Sequence, residues 1–167
     1  CHNELDTPSA IAVAEAVGDR LLGLEQHFAV GRDALQRNLQ ELLGTCIYGD
    51  ESIHNITDIE LQKGNFKGLN IKLMKCGGLD RAMRMTAGAK TLGMQVMLGS
   101  MSESSLGCTA LAQLAGKAQV LDLDGPWLIK NDPVTGITLE KGRRQVQAGP
   151  GIGARLTAEL VFLPALG

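Results

Sequence analysis

The chain has 167 residues, of which 44% are hydrophobic and 20% are charged, and this balance suits one globular domain with a real core. Its net charge of −2, the lack of any lysine or arginine block and an aromatic content of 3% argue against nucleic-acid or anionic-membrane partners. No apolar run reaches the roughly 20 residues that a membrane helix needs. The four cysteines stand far apart without CxxC pairs, which favours reduced thiols in a cytoplasmic protein.

Short apolar strands alternate with amphipathic helices along the chain. The pattern predicts helices at 10–21, 33–44, 55–64, 79–93 and 105–118, and strands at 21–28, 46–52, 69–75, 94–100 and 119–126. In the second helix, leucines recur at helical spacing and Gly44 is suited to end the run. Five strands, each preceded by a helix, predict parallel pairing through right-handed crossovers.

A polar residue stands near the end of every predicted strand. The intervals between these residues are 25, 22, 28 and 22 positions, for Glu25, Asp50, Lys72, Ser100 and Asp122 in turn. In a parallel β/α barrel the active site is built at the C-terminal ends of the strands. The sequence therefore predicts an α/β barrel with a site at that rim. An open doubly wound sheet is the alternative, although no GxGxxG turn follows the first strand.

The first three of these residues suggest metal and acid/base chemistry. Glu25 and Asp50 would repel each other at one rim unless a cation lay between them, and carboxylate oxygens suit Mg²⁺. The alternative is a pair of solvated or salt-bridged acids. Lys72 stands in an apolar strand, where burial would lower its pKa toward the range of a general base. It could instead extend to the rim or pair structurally with Asp50.

The last two strands end in candidate substrate-binding residues. Asp122 and Asp124 are two positions apart and share a strand face, so they could hold a cationic group such as a substrate ammonium. The alternative is backbone capping in a strand-end turn. The loop 99–105, GSMSESS, could offer hydroxyls and Glu103 to a ligand, or it could cap the next helix through one of its serines.

Five segments in fixed order resemble a known family: GLEQ, GDES, NIKLMKCGGLDRAMRM, LGMQVMLGSMSESSLG and DLDGPWLIKNDPVTGI. They are similar to the C-terminal barrel portion of the enolase superfamily. Within it they are nearest to the dipeptide epimerases of the muconate-lactonizing subgroup, the L-Ala-D/L-Glu epimerase type. The resemblance covers roughly residues 1–153, and the joint presence of NIKLMKCGG and DLDGP is its most specific part.

The resemblance implies a (β/α)₇β TIM-type barrel. Residues 1–130 would hold strands four to eight, and residues 131–167 would be a tail returning toward the capping domain. The implied chemistry is abstraction of the α-proton of a dipeptide, with Mg²⁺ stabilising the enediolate. By the matching motifs, the resemblance implies that Glu25 and Asp50 are metal ligands and that Lys72 is one of two acid/base lysines. It also implies that Asp122 and Asp124 bind the ammonium group of the dipeptide. The pocket would be lined by Ser100, Met101, Ser102 and Glu103.

The sequence also departs from the family. The family's first metal-binding aspartate falls at Cys1-His2-Asn3, where none stands. The second lysine, the first three strands and the capping domain fall outside the sequence. We therefore expect a partner chain or an oligomer to complete the barrel, and we expect no measurable turnover by this chain alone. The alternatives are an inactive barrel fragment that folds by oligomerising, and a cycloisomerase or dehydratase of the same superfamily.

Overall fold

The centre of the fold is a five-stranded parallel sheet. A computed structural model describes residues 6–157, and the sheet consists of β1 (Leu24–Glu25), β2 (Ile47–Gly49), β3 (Gly68–Ile71), β4 (Gln95–Gly99) and β5 (Val120–Asp122). The strands lie in sequence order, and every neighbouring pair is parallel. Because the order of these described strands never reverses, they form no topological switch point, and the doubly wound alternative is wrong.

Helices separate the strands, as the alternating pattern predicts. They are α1 (Thr7–Val17), α2 (Asp33–Leu43), α3 (Ile56–Leu61), α4 (Leu73–Cys76), α5 (Leu79–Thr91) and α6 (Ser105–Ala112). The side chain of Asp6 caps α1 by accepting a hydrogen bond from the backbone N–H of Ser9 at 2.9 Å. Gly44 ends α2 in the left-handed conformation, which confirms the predicted end of that helix.

The segment around Lys72 differs from its predicted structure. Strand β3 ends at Ile71, and Lys72 is the N-cap residue of the four-residue helix α4. The prediction of a strand over 69–75 is therefore wrong in its second half. Met74, which a strand would place on the same face as Lys72, is 67% exposed. Gly77 ends the turn with a φ of 85°, a conformation that glycine adopts without a steric penalty.

The core lies between the sheet and its helices, and Tyr48 fills the inner face of the sheet below the rim. Tyr48 and Asp50 share that face because alternate strand residues point the same way. A Cβ at Gly23 or at Gly68 would lie 2.6 Å from a ring carbon of Tyr48, so glycines on both sides make room for the ring. The Tyr48 hydroxyl donates a hydrogen bond to Oε1 of Gln95 at 2.8 Å. Tyr48 and Gln95 together form the floor of the rim, the layer of side chains directly beneath the strand ends.

Residues 131–157 pack against α6. They form two antiparallel pairs of strands, namely β6 (Val134–Thr135) with β9 (Arg155–Leu156) and β7 (Ile137–Glu140) with β8 (Arg143–Val146). Asp132 caps α6 by accepting a hydrogen bond from the Ser105 N–H at 2.6 Å, whereas Ser104 occupies the N-cap position without a side-chain bond. The predicted serine cap is therefore wrong. The division at residue 130 stays a prediction, and residues 158–167 lie outside the described residues.

The cysteines within residues 6–157 are unpaired and buried, and they are Cys46, Cys76 and Cys108. Cys1 lies outside that range. Burial raises the pKa of the Cys46 and Cys108 thiols to about 11, so both stay protonated at neutral pH. In the same part of the chain, no helix has the length and apolar character to cross a membrane.

Candidate functional site

Three of the predicted residues meet at the C-terminal ends of adjacent strands. The Lys72 ammonium lies 2.7 Å from Oδ2 of Asp50 and 3.4 Å from Oε1 of Glu25. The side chains of Lys72 and Asp50 are 13% and 8% exposed, whereas that of Glu25 is 39% exposed. The structure thus places one cationic group between two carboxylates, at the rim where a parallel barrel carries its chemistry.

The protonation of this cluster differs from the expectation. Burial alone would lower the pKa of Lys72, but the hydrogen bond and charge of Asp50, helped by Glu25, outweigh burial and raise it. The predicted lowering of the Lys72 pKa is therefore wrong for this arrangement, because both carboxylates stabilise the ammonium. Burial would also raise the pKa of Asp50, but Lys72 and Lys75 outweigh burial and lower it.

Lys75 is a member of the cluster that the sequence interpretation missed. Its ammonium pairs with Oδ1 of Asp50, whereas that of Lys72 pairs with Oδ2. Burial lowers its pKa despite the opposing effect of Asp50. A strand over 69–75 would point Lys75 away from Lys72, whereas the turn of α4 brings both lysines to one carboxylate. The signal for this turn is the Gly77-Gly78 pair that ends it.

The sequence interpretation also missed two uncharged side chains, Gln26 and Asn70, which hold the residues that carry the carboxylates. Gln26 is buried, and its Oε1 accepts hydrogen bonds from the N–H groups of Asp50 and Ser52, both at 3.0 Å. Asn70 is buried and donates from Nδ2 to Oε1 of Glu25 at 2.6 Å. The Gln26 bonds tie the end of β1 to the segment after β2, and the Asn70 bond ties β3 to β1, so polar side chains hold the three strand ends together. No sequence pattern distinguishes either amide.

The predicted residues of β4 and β5 form a second group on the same rim. The N–H of Ser100 donates to the carbonyl of Asp122 at 2.8 Å, and its hydroxyl lies 3.4 Å from Oδ1 of Asp124. Asp122 is half-buried and Asp124 is exposed. Burial raises the pKa of Asp122, and the charges of Asp124 and Glu25 raise it further. The negative charge of Glu25, in the first group, therefore acts on Asp122, in the second.

The loop after β4 folds back on itself beside that group. Oε1 of Glu103 accepts a hydrogen bond from the Met101 N–H at 3.2 Å, and burial raises the pKa of Glu103. Met101 and Ser102 are exposed. The loop packs closely on the start of the next turn, because a Cβ at Gly125 would lie 2.6 Å from the Met101 carbonyl oxygen. All four predicted loop residues therefore follow directly on the end of β4, next to the end of β5.

The first group has the chemistry of a partial site for a hard divalent cation. Glu25 and Asp50 supply carboxylate oxygens that already converge on a positive charge. Within residues 6–157, the buried oxygens Oδ1 of Asn70 and Oε2 of Glu51 have no hydrogen-bond partner. Mg²⁺ is commonly bound by one or two carboxylates, and water and substrate complete its coordination. Glu25 and Asp50 therefore fit this ion. That part of the chain contains no group of three potential metal-ligating side chains, and the Cys1-His2-Asn3 position lies outside it.

The fold and rim define a class of protein, a parallel β/α half-barrel that carries acids and a lysine at its strand ends. The family described as "Enolase C-terminal domain-like" matches residues 1–160, and the chain belongs to this family. The resemblance seen in the sequence is thereby confirmed, and so is the predicted five-stranded part of a β/α barrel.

Individual relatives show which enzymes of this family the chain is similar to. The L-Ala-D/L-Glu epimerase of Bacteroides thetaiotaomicron is 41% identical over 107 residues, which is 64% of this chain and 28% of that protein. The substrate-liganded L-Ala-D/L-Glu epimerase of Bacillus subtilis is 31% identical, with a TM-score of 0.81 over 92% of this chain and 44% of that one. The dipeptide epimerase of Methylococcus capsulatus, solved with Mg and L-Arg-D-Lys, is 32% identical, with a TM-score of 0.82 over 91% and 45%. The chain thus spans less than half the length of these relatives.

Proposed function

We propose that this chain supplies one acid/base lysine and two metal ligands of a Mg²⁺-dependent dipeptide epimerase of the L-Ala-D/L-Glu type. The observation that carries the proposal is the Lys72 ammonium held between Glu25 and Asp50 at the ends of three adjacent parallel strands. The similarity to dipeptide epimerases, one of them solved with Mg and a dipeptide, supports it.

Lys72 is the proton carrier of the proposal. As an ammonium it can return a proton to the α-carbon of the substrate, and as a neutral amine it can remove one. If Glu25 and Asp50 held a cation, their charge would favour the Lys72 ammonium less, and the burial of Lys72 would then favour its neutral amine. The same side chain therefore serves as acid in one direction of an epimerisation and as base in the other.

Glu25 and Asp50 are the proposed ligands of Mg²⁺. When bound, the ion would stabilise the negative charge that develops on the substrate carboxylate as the α-proton leaves. Asn70 orients Glu25 through its 2.6 Å hydrogen bond, and Gln26 holds the backbone of Asp50. Both carboxylates are therefore set in place before any ligand arrives, which is the condition for effective electrostatic stabilisation.

Asp122 and Asp124 are the proposed binding site for the ammonium group of the dipeptide. Their mutual repulsion raises the pKa of Asp122 in addition to the effect of burial, and a cationic group between them would relieve that repulsion. Ser100 links the backbone of one aspartate to the side chain of the other. Residues 100–103 would form the adjacent pocket wall. A paired acidic clamp favours a dipeptide over the anionic substrates of a cycloisomerase or dehydratase.

A partner chain or an oligomer is proposed to complete the barrel. The support for it is that the chain spans less than half of its relatives and that its β1 edge pairs on one side only within the described residues. The native mass of the purified protein separates the outcomes. A complex with a second polypeptide agrees with a shared active site, whereas a homo-oligomer agrees with the inactive fragment. The cytoplasmic location stays a prediction from cysteine usage.

The test of the activity is solvent deuterium exchange. The protein in its native assembly is incubated with L-Ala-L-Glu and Mg²⁺ in D₂O, and incorporation at the α-carbon of the glutamate residue is followed by NMR. We expect exchange that is lost in Lys72→Ala and retained in Lys90→Ala, an exposed lysine on α5. Exchange that survives in Lys72→Ala would assign the base elsewhere. No exchange in any assembly would leave the inactive fragment as the correct description.

A further inference from the structure

We propose that Lys75 is a positioning residue that holds Asp50 so that a single carboxylate oxygen, Oδ2, faces the reaction space. The proposal rests on the function proposed above, in which Asp50 ligates a divalent cation. Lys75 itself lies behind Asp50 and is assigned no contact with the substrate. Its effect is to fix which oxygen of Asp50 is presented to the cation and in what direction.

The contacts of Asp50 divide its two oxygens between two lysines. Oδ1 pairs with Lys75, and Oδ2 accepts from Lys72 at 2.7 Å on the side that also faces Glu25. A carboxylate held by only one cation can rotate and exchange its oxygens. A carboxylate held on both oxygens has one orientation, so the pairing with Lys75 leaves Oδ2 alone available toward Glu25.

Lys75 is itself held rigidly. Besides Asp50 Oδ1, its ammonium donates to three carbonyl oxygens, those of Asp50 at 2.7 Å, Asn70 at 3.3 Å and Ile53 at 3.4 Å. These acceptors belong to the end of β3 and to the segment just after β2, and the side chain is only 10% exposed. Four acceptor oxygens thus share the three N–H donors of the ammonium, so no donor is left unused. Lys72, in contrast, contacts the two carboxylates of the open rim.

The local fold explains why Lys75 reaches this position. Strand β3 stops at Ile71, and the single turn of α4 redirects the chain so that Lys75 points back toward the neighbouring strand β2. Cys76 and Gly77 donate their N–H groups to the carbonyls of Lys72 and Leu73, which closes the turn. The two lysines are three residues apart on a helical turn, so both reach the same carboxylate, and each contacts a different oxygen of it.

The consequence for cation binding can be measured directly. Groups that orient a metal ligand from behind typically contribute 10–100-fold to metal affinity. We expect Lys75→Met to weaken binding of Mn²⁺, used as an EPR-visible substitute for Mg²⁺, by that factor. Lys90→Met is the matched control. It replaces an exposed lysine on α5 by the same residue and should leave Mn²⁺ binding unchanged. Far-UV circular dichroism confirms that each variant is folded.

The result that would overturn the proposal is a folded Lys75→Met protein that binds Mn²⁺ within about threefold of the wild type. A second measurement on the unmodified protein needs neither metal nor a stable variant. NMR of the lysine ammonium groups should show a hydrogen-bond coupling between Lys75 Nζ and the Asp50 side-chain carboxyl carbon. Absence of that coupling also overturns the proposal. If the coupling is present but no protein binds Mn²⁺, the proposed function fails, and the assignment of a cation-positioning role fails with it.

Discussion

Replacing Asp50 with asparagine is the most informative perturbation of the rim. It removes one negative charge, which leaves Lys75, 10% exposed, without its ion-pair partner and leaves Lys72, 13% exposed, with Glu25 alone at 3.4 Å. Breaking a buried ion pair by removing one partner costs about 3–5 kcal/mol, and two charged hydrogen bonds of about 1.5–3 kcal/mol each give a similar range. We therefore expect Asp50→Asn to lose about 3–5 kcal/mol of unfolding free energy at neutral pH.

The pH dependence of this loss follows from the direction of the pKa shift. The folded-state pKa of Asp50 is lowered by its two lysines, so its contribution is complete above the unfolded-state pKa. It is lost as the pH falls through the folded-state pKa, because the protonated acid no longer pairs with the lysines. The difference between wild type and Asp50→Asn should therefore shrink in acid.

Urea unfolding followed by circular dichroism, at neutral pH and in acid, measures both effects. Glu25→Gln is the control, because Glu25 is 39% exposed and lies 3.4 Å from Lys72, so its loss should be at most about 1 kcal/mol. The double variant Asp50→Asn/Lys75→Met should recover part of the lost stability by removing one unpaired charge. A neutral-pH loss below about 1 kcal/mol for Asp50→Asn, or a loss that does not change with pH, would refute the reasoning.

Two further predictions concern the rest of the rim and its floor. Burial and the charges of Asp124 and Glu25 raise the folded-state pKa of Asp122, so its ionisation destabilises the fold as the pH rises. Asp122→Asn should therefore raise the urea midpoint at neutral pH and leave it unchanged in acid. An unchanged midpoint at neutral pH would contradict this prediction. Gly68→Ala places a methyl group 2.6 Å from the Tyr48 ring and should lower the free energy of unfolding by about 1–3 kcal/mol. Gly116→Ala, where the added methyl group meets nothing within 4 Å, is the control. Equal thermal midpoints for the two variants would show that the space around Tyr48 is not tightly packed.

Much of the fold was predictable because the strands and helices repeat at a regular interval. That regularity places Glu25, Asp50 and Lys72 at strand ends, and parallel pairing then brings them together without further information. The sequence does not reveal how the rim is held. Lys75 contacts Asp50 because β3 is followed by a short helical turn. The apolar run itself does not signal this change, and only the Gly77-Gly78 pair after it does.

Other parts of the site depend on contacts that are distant along the chain. Gln26 bonds to the backbone of Asp50, and Asp132 caps a helix that begins 27 residues earlier. Local propensity favours a serine cap at the start of α6, and the tail replaces it with a carboxylate. The prediction of a lowered pKa for Lys72 fails for a similar reason. Burial can be inferred from an apolar pattern, but the number of carboxylates near the lysine cannot.

The sequential order of the sheet also bears on how the protein folds. Each strand pairs only with the strands before and after it in the chain, as Leu24 does with Ile47 and Met97 with Val120. Every pairing therefore closes a short loop that contains one or two helices, and no pairing within the described sheet requires the two ends of the chain to meet. Loop-closure entropy is thus spread over several small steps, so the sheet can grow by one βα unit at a time.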